Sequence, residues 1–165
     1  MYGRRGSDSW AGGRVGWGEG ELKRKRRQKT GDRRQEIVNP PALGAPKGYS
    51  NGILCPAGGR LLFVAGQVAW DASHRIVCKD FPCQFRKGLE NVVAVVREAG
   101  GRPKDLARLT IYVTDKRKYI ADRRAIGEAY RAVMGRHFPA MALVEVKALL
   151  EPGAKVEIEG TAVIA

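Results

Sequence analysis

The side chains able to do chemistry in this chain are few and scattered. Three thiols, Cys55, Cys78 and Cys83, could bind a metal or act as nucleophiles, but they are odd in number, form no CxxC pair and have no histidine cluster near them. Lys79 beside Cys78 is the one basic neighbour, a thin basis for a lowered thiol pKa. Reduced structural thiols of a cytosolic protein are therefore the expectation. His74 and His137 lie far apart and flank no second ligand, so no metal is assigned and no cofactor is implied. The runs Lys116-Arg117-Lys118 and Arg123-Arg124 could track phosphates, yet they lack the interleaved aromatics of an RNA-binding motif and read as a solvated helix face. What remains is a pair of carboxylates, Glu157 and Glu159, and a tyrosine, Tyr49, in a Gly-Tyr-Ser segment.

The chain has 165 residues, 44% of them hydrophobic, enough to bury one core but with little room for a second domain of ordinary size. The net charge of +13 is unevenly spread: residues 1–36 carry +6 and residues 37–165 carry +7. Residues 1–36 are rich in Gly, Arg and Lys and show no sustained apolar period, so they cannot repay their ordering entropy and are expected to be a disordered basic extension. Three readings fit that extension: an RNA-binding arm, a targeting segment, or an upstream stretch without a selected role, as a misassigned start would leave. The longest apolar stretches are too short to span a bilayer, and no signal-peptide core is present, which points to a soluble cytoplasmic protein with no membrane partner.

The elements that must position Tyr49 and the two acids follow from periodicity. Proline and glycine between Asn39 and Pro56 suit an extended approach, and Gly58-Gly59 separates a short strand near Gly52–Cys55 from one at Arg60–Val68, as in a hairpin. A loop around Asp71 and Ser73 leads into a helix from about Pro82 to Ala99, with Leu89, Val92, Val93 and Val96 on one face. Gly100-Gly101 and Pro103 end it. Alternation makes Ala107–Thr114 a strand, and a second helix is expected over Lys118–Met134, with Ile126, Ala129, Tyr130 and Val133 inward and Arg123, Arg124 and Arg131 outward. Two strands close the chain, Ala142–Val146 and Lys155–Ala165. In the last of these Val156, Ile158, Gly160, Ala162 and Ile164 share one face, and Glu157, Glu159, Thr161 and Val163 take the other. The order predicts an α+β domain with two helices on one face of a mixed sheet. The second face, carrying Val and Ile, calls for cover by association with another copy.

The stretches GYSNGI (Gly48–Ile53), LLFVAGQVAWD (Leu61–Asp71), LENVVAVVREAGG (Leu89–Gly101), LTIYVTD (Leu109–Asp115), FPAMALVEV (Phe138–Val146) and KVEIEGTAVIA (Lys155–Ala165) occur in the order found in the RidA/YjgF/endoribonuclease L-PSP family, which this sequence resembles from about Ile37 to its end. The resemblance implies a chorismate-mutase-like fold assembled as a homotrimer that binds a small molecule in clefts between subunits. It also implies cofactor-free hydrolysis of reactive enamines and imines, of the 2-aminoacrylate type, to 2-keto acids and ammonia.

Carried over position by position, the resemblance makes Glu157 the catalytic acid/base. It makes Tyr49 and Gly66, with Met141 and Leu143, the ligand-binding residues. Met141 stands where the family has a substrate-binding arginine, and it has no charge and no donor for a carboxylate. Ala65 replaces a serine before the Gly66-Gln67 pair, and the polar residue of the second helix falls at Gly127. The imine activity is therefore expected to be altered or lost. Alternatives are a non-catalytic metabolite-binding or chaperone-like trimer, and an RNA-binding or endoribonuclease-like protein. Arg136, His137 and Lys147 are the nearby cations that could compensate.

Overall fold

The computed structural model describes residues 35–165. Nine regular elements follow in order: β1 (Glu36–Val38), β2 (Gly52–Leu54), β3 (Arg60–Gln67), α1 (Phe81–Glu98), β4 (Leu106–Val113), α2 (Lys116–Ala121), α3 (Arg123–Met134), β5 (Ala140–Glu145) and β6 (Val156–Ile164). The expected disorder of the basic extension concerns residues outside the described ones, except that Gln35 and Glu36 are placed. Gln35 donates to the Asp105 carbonyl at 2.8 Å, and Glu36 opens β1.

The main sheet has the order β3-β6-β4-β5, antiparallel except for the β4–β5 pair. Its helix face is a dry core. Leu109, Val113, Val156, Ile158 and Ala162 of the sheet meet Leu89, Val92, Val93 and Val96 of α1, all of them essentially excluded from water. Burying each such side chain contributes about 1.5–3 kcal/mol. The α1 stripe is the one its spacing predicts. Asp80 caps the helix by accepting from the Cys83 amide at 2.9 Å, and Gly100, at φ +85°, ends it.

Three expectations need correction. Strand β2 does not form a hairpin with β3; it pairs with β1, Ile37 opposite Ile53, in a separate two-stranded sheet. Pro56 has no amide to donate, and the partner strand β1 lies in a segment too short and irregular to read as a strand from its own pattern. The second helix is two: Asp115 caps α2 by accepting from the Lys118 amide, and Asp122, at φ −93° and ψ 8°, divides α2 from α3. Finally, Cys78 and Cys83 are joined as a disulfide, not reduced. The loop from Trp70 folds back onto the first turn of α1 and brings their Cα atoms to 5.7 Å, within the usual bridging range, at a spacing that no sequence motif marks. Among the described residues Cys55 is the unpaired thiol, and burial raises its pKa.

Candidate functional site

Side chains alternate across a strand, so register decides which candidates can meet. Met141 pairs with Leu109, and Leu143 with Ile111, which is itself opposite Ile158. Both candidates therefore point to the helix face, where they pack against the core. Glu157 pairs with Tyr112, which pairs in turn with Val144, on the other face. Within one chain the proposed acid and the residue in the arginine position lie on opposite sides of the sheet.

On the helix face a cavity of about 430 Å³ opens between the sheet, α3 and the Lys47–Tyr49 segment. Tyr49, Met141 and Leu143 all line it. Tyr49 is held by its neighbour: the Ser50 amide donates to the Pro139 carbonyl at 3.0 Å, and the Ser50 hydroxyl to the Phe138 carbonyl at 2.6 Å. This tie begins β5 at Ala140, two residues before the sequence pattern suggested. Tyr130 forms part of the wall, stacked on Phe138 with ring centroids 5.2 Å apart and donating its hydroxyl to the His137 carbonyl at 2.8 Å. Burial pushes the Tyr130 and Tyr119 phenols up, so both stay neutral walls.

The cations at this cavity are Lys47, Arg123 and Arg131. None of Arg136, His137 and Lys147 lines it, and a ring nitrogen of His137 is 2.7 Å from the Leu106 carbonyl. Arg123 and Arg131 are exposed, as expected of the outer helix face, and they also reach the rim of this cavity. The signal that could have found them is the spacing Arg123-Gly127-Arg131, one stripe along α3 with a glycine at its centre. Glycine there costs the helix up to about 1 kcal/mol relative to alanine. A Cβ at position 127 would lie 3.3 Å from the Arg131 Nη1, so the guanidinium rests against the notch the glycine leaves.

The open face is built differently. An irregularity between Val64 and Gln67 re-aims β3 and sets Gly66 beside Glu157. A Cβ at Gly66 would lie 2.8 Å from the Glu157 Cδ, so the carboxyl group occupies the space a side chain would need. The Tyr112 hydroxyl donates to Glu159 Oε1 at 3.2 Å, and desolvation first, then the Glu159 charge, raises the Tyr112 pKa. Around these groups the face is apolar and bare: Phe63 is 74% exposed, Leu61 56% and Val144 44%. The Thr110 hydroxyl is buried there without a hydrogen-bond partner among the described residues. Among those residues no group of three His, Cys, Asp or Glu side chains could hold a metal ion, and no helix is long and apolar enough to cross a membrane.

Comparison with known proteins gives a consistent result. The model of the family described as endoribonuclease L-PSP matches residues 40–164. A 2-iminobutanoate/2-iminopropanoate deaminase of Salmonella typhimurium is 35% identical over 128 residues, covering 76% of this chain and 92% of the relative; the Escherichia coli protein of the same description is 33% identical over the same span. Among solved structures, a Yersinia pestis protein of unknown function from the conserved Rid family superposes with a TM-score of 0.70 at 33% identity, covering 79% of this chain and 98% of that one. Escherichia coli TdcF, solved with bound serine, gives 0.55 at 28% identity, covering 81% and 94%.

Proposed function

This chain belongs to the endoribonuclease L-PSP, or RidA/YjgF, family, and from that premise we propose that it hydrolyses 2-imino acids and their enamine tautomers to 2-keto acids and ammonia, in clefts between copies of itself. The observation that carries this reading is the carboxyl group of Glu157 laid over Gly66 on the uncovered sheet face. In the proposed reaction water adds to the C=N carbon while Glu157 takes its proton. The same carboxyl then returns that proton to the nitrogen to give the carbinolamine, and next carries the carbinolamine's hydroxyl proton to the amine, so that the C–N bond breaks and leaves the ketone and ammonia. An enamine first accepts a proton on carbon to become the imine.

Glu157 and the cavity lined by Tyr49, Met141 and Leu143 open on opposite faces, so a complete site needs the open face of one subunit set against the cavity of another. The bare Phe63 and Leu61 and the unpartnered Thr110 hydroxyl support such burial. A homotrimer with three equivalent clefts is the arrangement we propose. A cytoplasmic setting belongs to the same reading, and the Cys78–Cys83 disulfide is the feature that weighs against it, since reducing compartments keep most thiols free. Alkylation of thiols in intact cells followed by mass measurement checks that point. For the activity, imines generated in situ from an amino acid and an amino-acid oxidase should disappear faster with the protein than without it. Loss of that acceleration in Glu157→Gln is expected, and an unchanged rate in the variant would refute the assignment.

One observation favours a second reading, a non-catalytic metabolite-binding protein: Met141, half-buried against the core, offers no charge to a carboxylate. Ligand stabilisation without imine turnover would support it. Three of the five basic residues in the runs Lys116–Lys118 and Arg123–Arg124 are engaged in ion pairs, which weakens an RNA-binding reading. Lys116 pairs with Glu145, Lys118 with Asp122 and Arg124 with Glu128, at 3.1–3.4 Å.

A further inference from the structure

We propose that Arg131, seated against Gly127, holds the ligand's carboxylate in place of the missing arginine, and that the cavity selects 2-imino or 2-keto acids with a bulky branched or aromatic side chain. The substrate class refines the deaminase reading and rests on it for turnover, whereas the binding claim stands apart from catalysis.

Charge comes first. Among the described residues Lys47, Arg123 and Arg131 line the cavity and no carboxylate does, so its mouth attracts an anion. Of the other exposed helix arginines, Arg86 and Arg124 are each paired with a glutamate four residues on, at 2.8 and 3.1 Å, whereas Arg97 and Arg117 have no such pair among the described residues. Arg123 and Arg131 form no ion pair with a described carboxylate. A guanidinium without such a pair keeps its donors for a bidentate contact.

Shape comes second. Position 127 is a helix-weakening glycine in mid-helix, and a Cβ there would lie 3.3 Å from the Arg131 Nη1, so that the guanidinium would have to shift by a few tenths of an ångström from its present seat. The glycine has a use if that space must stay open to the guanidinium. Room comes third. The arginine position is filled by Met141, whose thioether packs in the wall, and the remaining lining includes Phe85, Ile111, Tyr119, Phe138 and Leu143. A cavity of about 430 Å³ with such walls lies in the range that encloses ligands well above a three-carbon acid. An anchor at the α3 rim and an apolar interior together suit an acid whose side chain reaches inward.

The test uses the full chain and three 2-keto acids, pyruvate, 4-methyl-2-oxopentanoate and phenylpyruvate, with the methyl ester of the second as an uncharged control. Calorimetry is expected to give at least tenfold tighter binding for the two bulky acids than for pyruvate, and no comparable binding of the ester. Arg131→Ala should lose at least tenfold for the bulky acids and Arg131→Lys less. Gly127→Ala should weaken binding while raising the melting temperature, a combination that general damage to the fold would not produce. Equal binding of pyruvate, or full affinity in Arg131→Ala, overturns the proposal. Imines made in situ from leucine and from alanine separate it from the deaminase reading. Binding through Arg131 without turnover of either imine supports this anchor and defeats that reading; turnover that Arg131→Ala leaves unchanged does the reverse.

Discussion

The helix-side cavity and the open face are made from the same strands, yet they are finished by different means. The cavity is completed within the chain: α3 supplies Tyr130 and two arginines, β5 supplies Met141 and Leu143, and Ser50 ties Tyr49 to them. The open face presents Glu157 beside Gly66 amid bare Phe63 and Leu61, with a buried Thr110 hydroxyl that has no partner among the described residues. The difference teaches that, on the proposed reading, binding and proton transfer are divided between two sides of one sheet. Assembly, rather than folding, is what would unite them.

The largest effect should come from charging the open face. Phe63→Glu puts a carboxylate where another copy is proposed to pack, and size-exclusion chromatography with light scattering should show monomer in place of the assembled mass, with imine turnover lost as well. Retained mass would mean that this face is not the contact. Glu157→Gln is next: turnover should fall by about 10²–10⁴, the usual worth of a general acid/base, with mass and melting temperature unchanged.

On the cavity side the changes are smaller. Met141→Arg restores a guanidinium, and since hydrogen bonds to charged groups contribute about 1.5–3 kcal/mol, 2-iminopropanoate should gain roughly tenfold or more in kcat/KM. No gain would leave the small-acid anchor elsewhere. Smallest is Tyr130→Phe, which removes the hydrogen bond to the His137 carbonyl and should cost about 1 kcal/mol by urea titration.

The sign of its pH dependence is fixed by burial. Folding raises the Tyr130 pKa above the ordinary 10.0, so the stabilisation is fully present below pH 10 and is lost as pH rises beyond it. Tyr130→Phe should therefore flatten the decline between pH 10 and 11, with the buried Tyr119 accounting for part of what remains.

Much of the fold was legible because its elements are strongly periodic. Leu89, Val92, Val93 and Val96 make a helix stripe, and the alternation in Val156–Ile164 sorts apolar from acidic residues without outside help. The β1–β2 pairing was hidden because each strand is three residues long, and the Asp122 break because one aspartate hardly interrupts a helical period. The disulfide depends on a loop folding back, which spacing does not encode. At the candidate site, residues could be nominated from the sequence but their arrangement could not. Tyr49, Gly66, Met141, Leu143 and Glu157 could all be named, whereas the place of the exposed Arg123 and Arg131 at the cavity rim depends on how α3 is set against the sheet.

The sequence by itself determined the element order, the core stripes and membership of the family, because these rest on local periodicity and on motifs spread along the chain. It also showed that the arginine position holds Met141. Tertiary structure decided what faces what. Strand register put Met141 and Glu157 on opposite sides of the sheet, and helix docking brought Arg131 and Gly127 to the cavity. Those are relations between residues distant in the chain, and only packing in three dimensions fixes them.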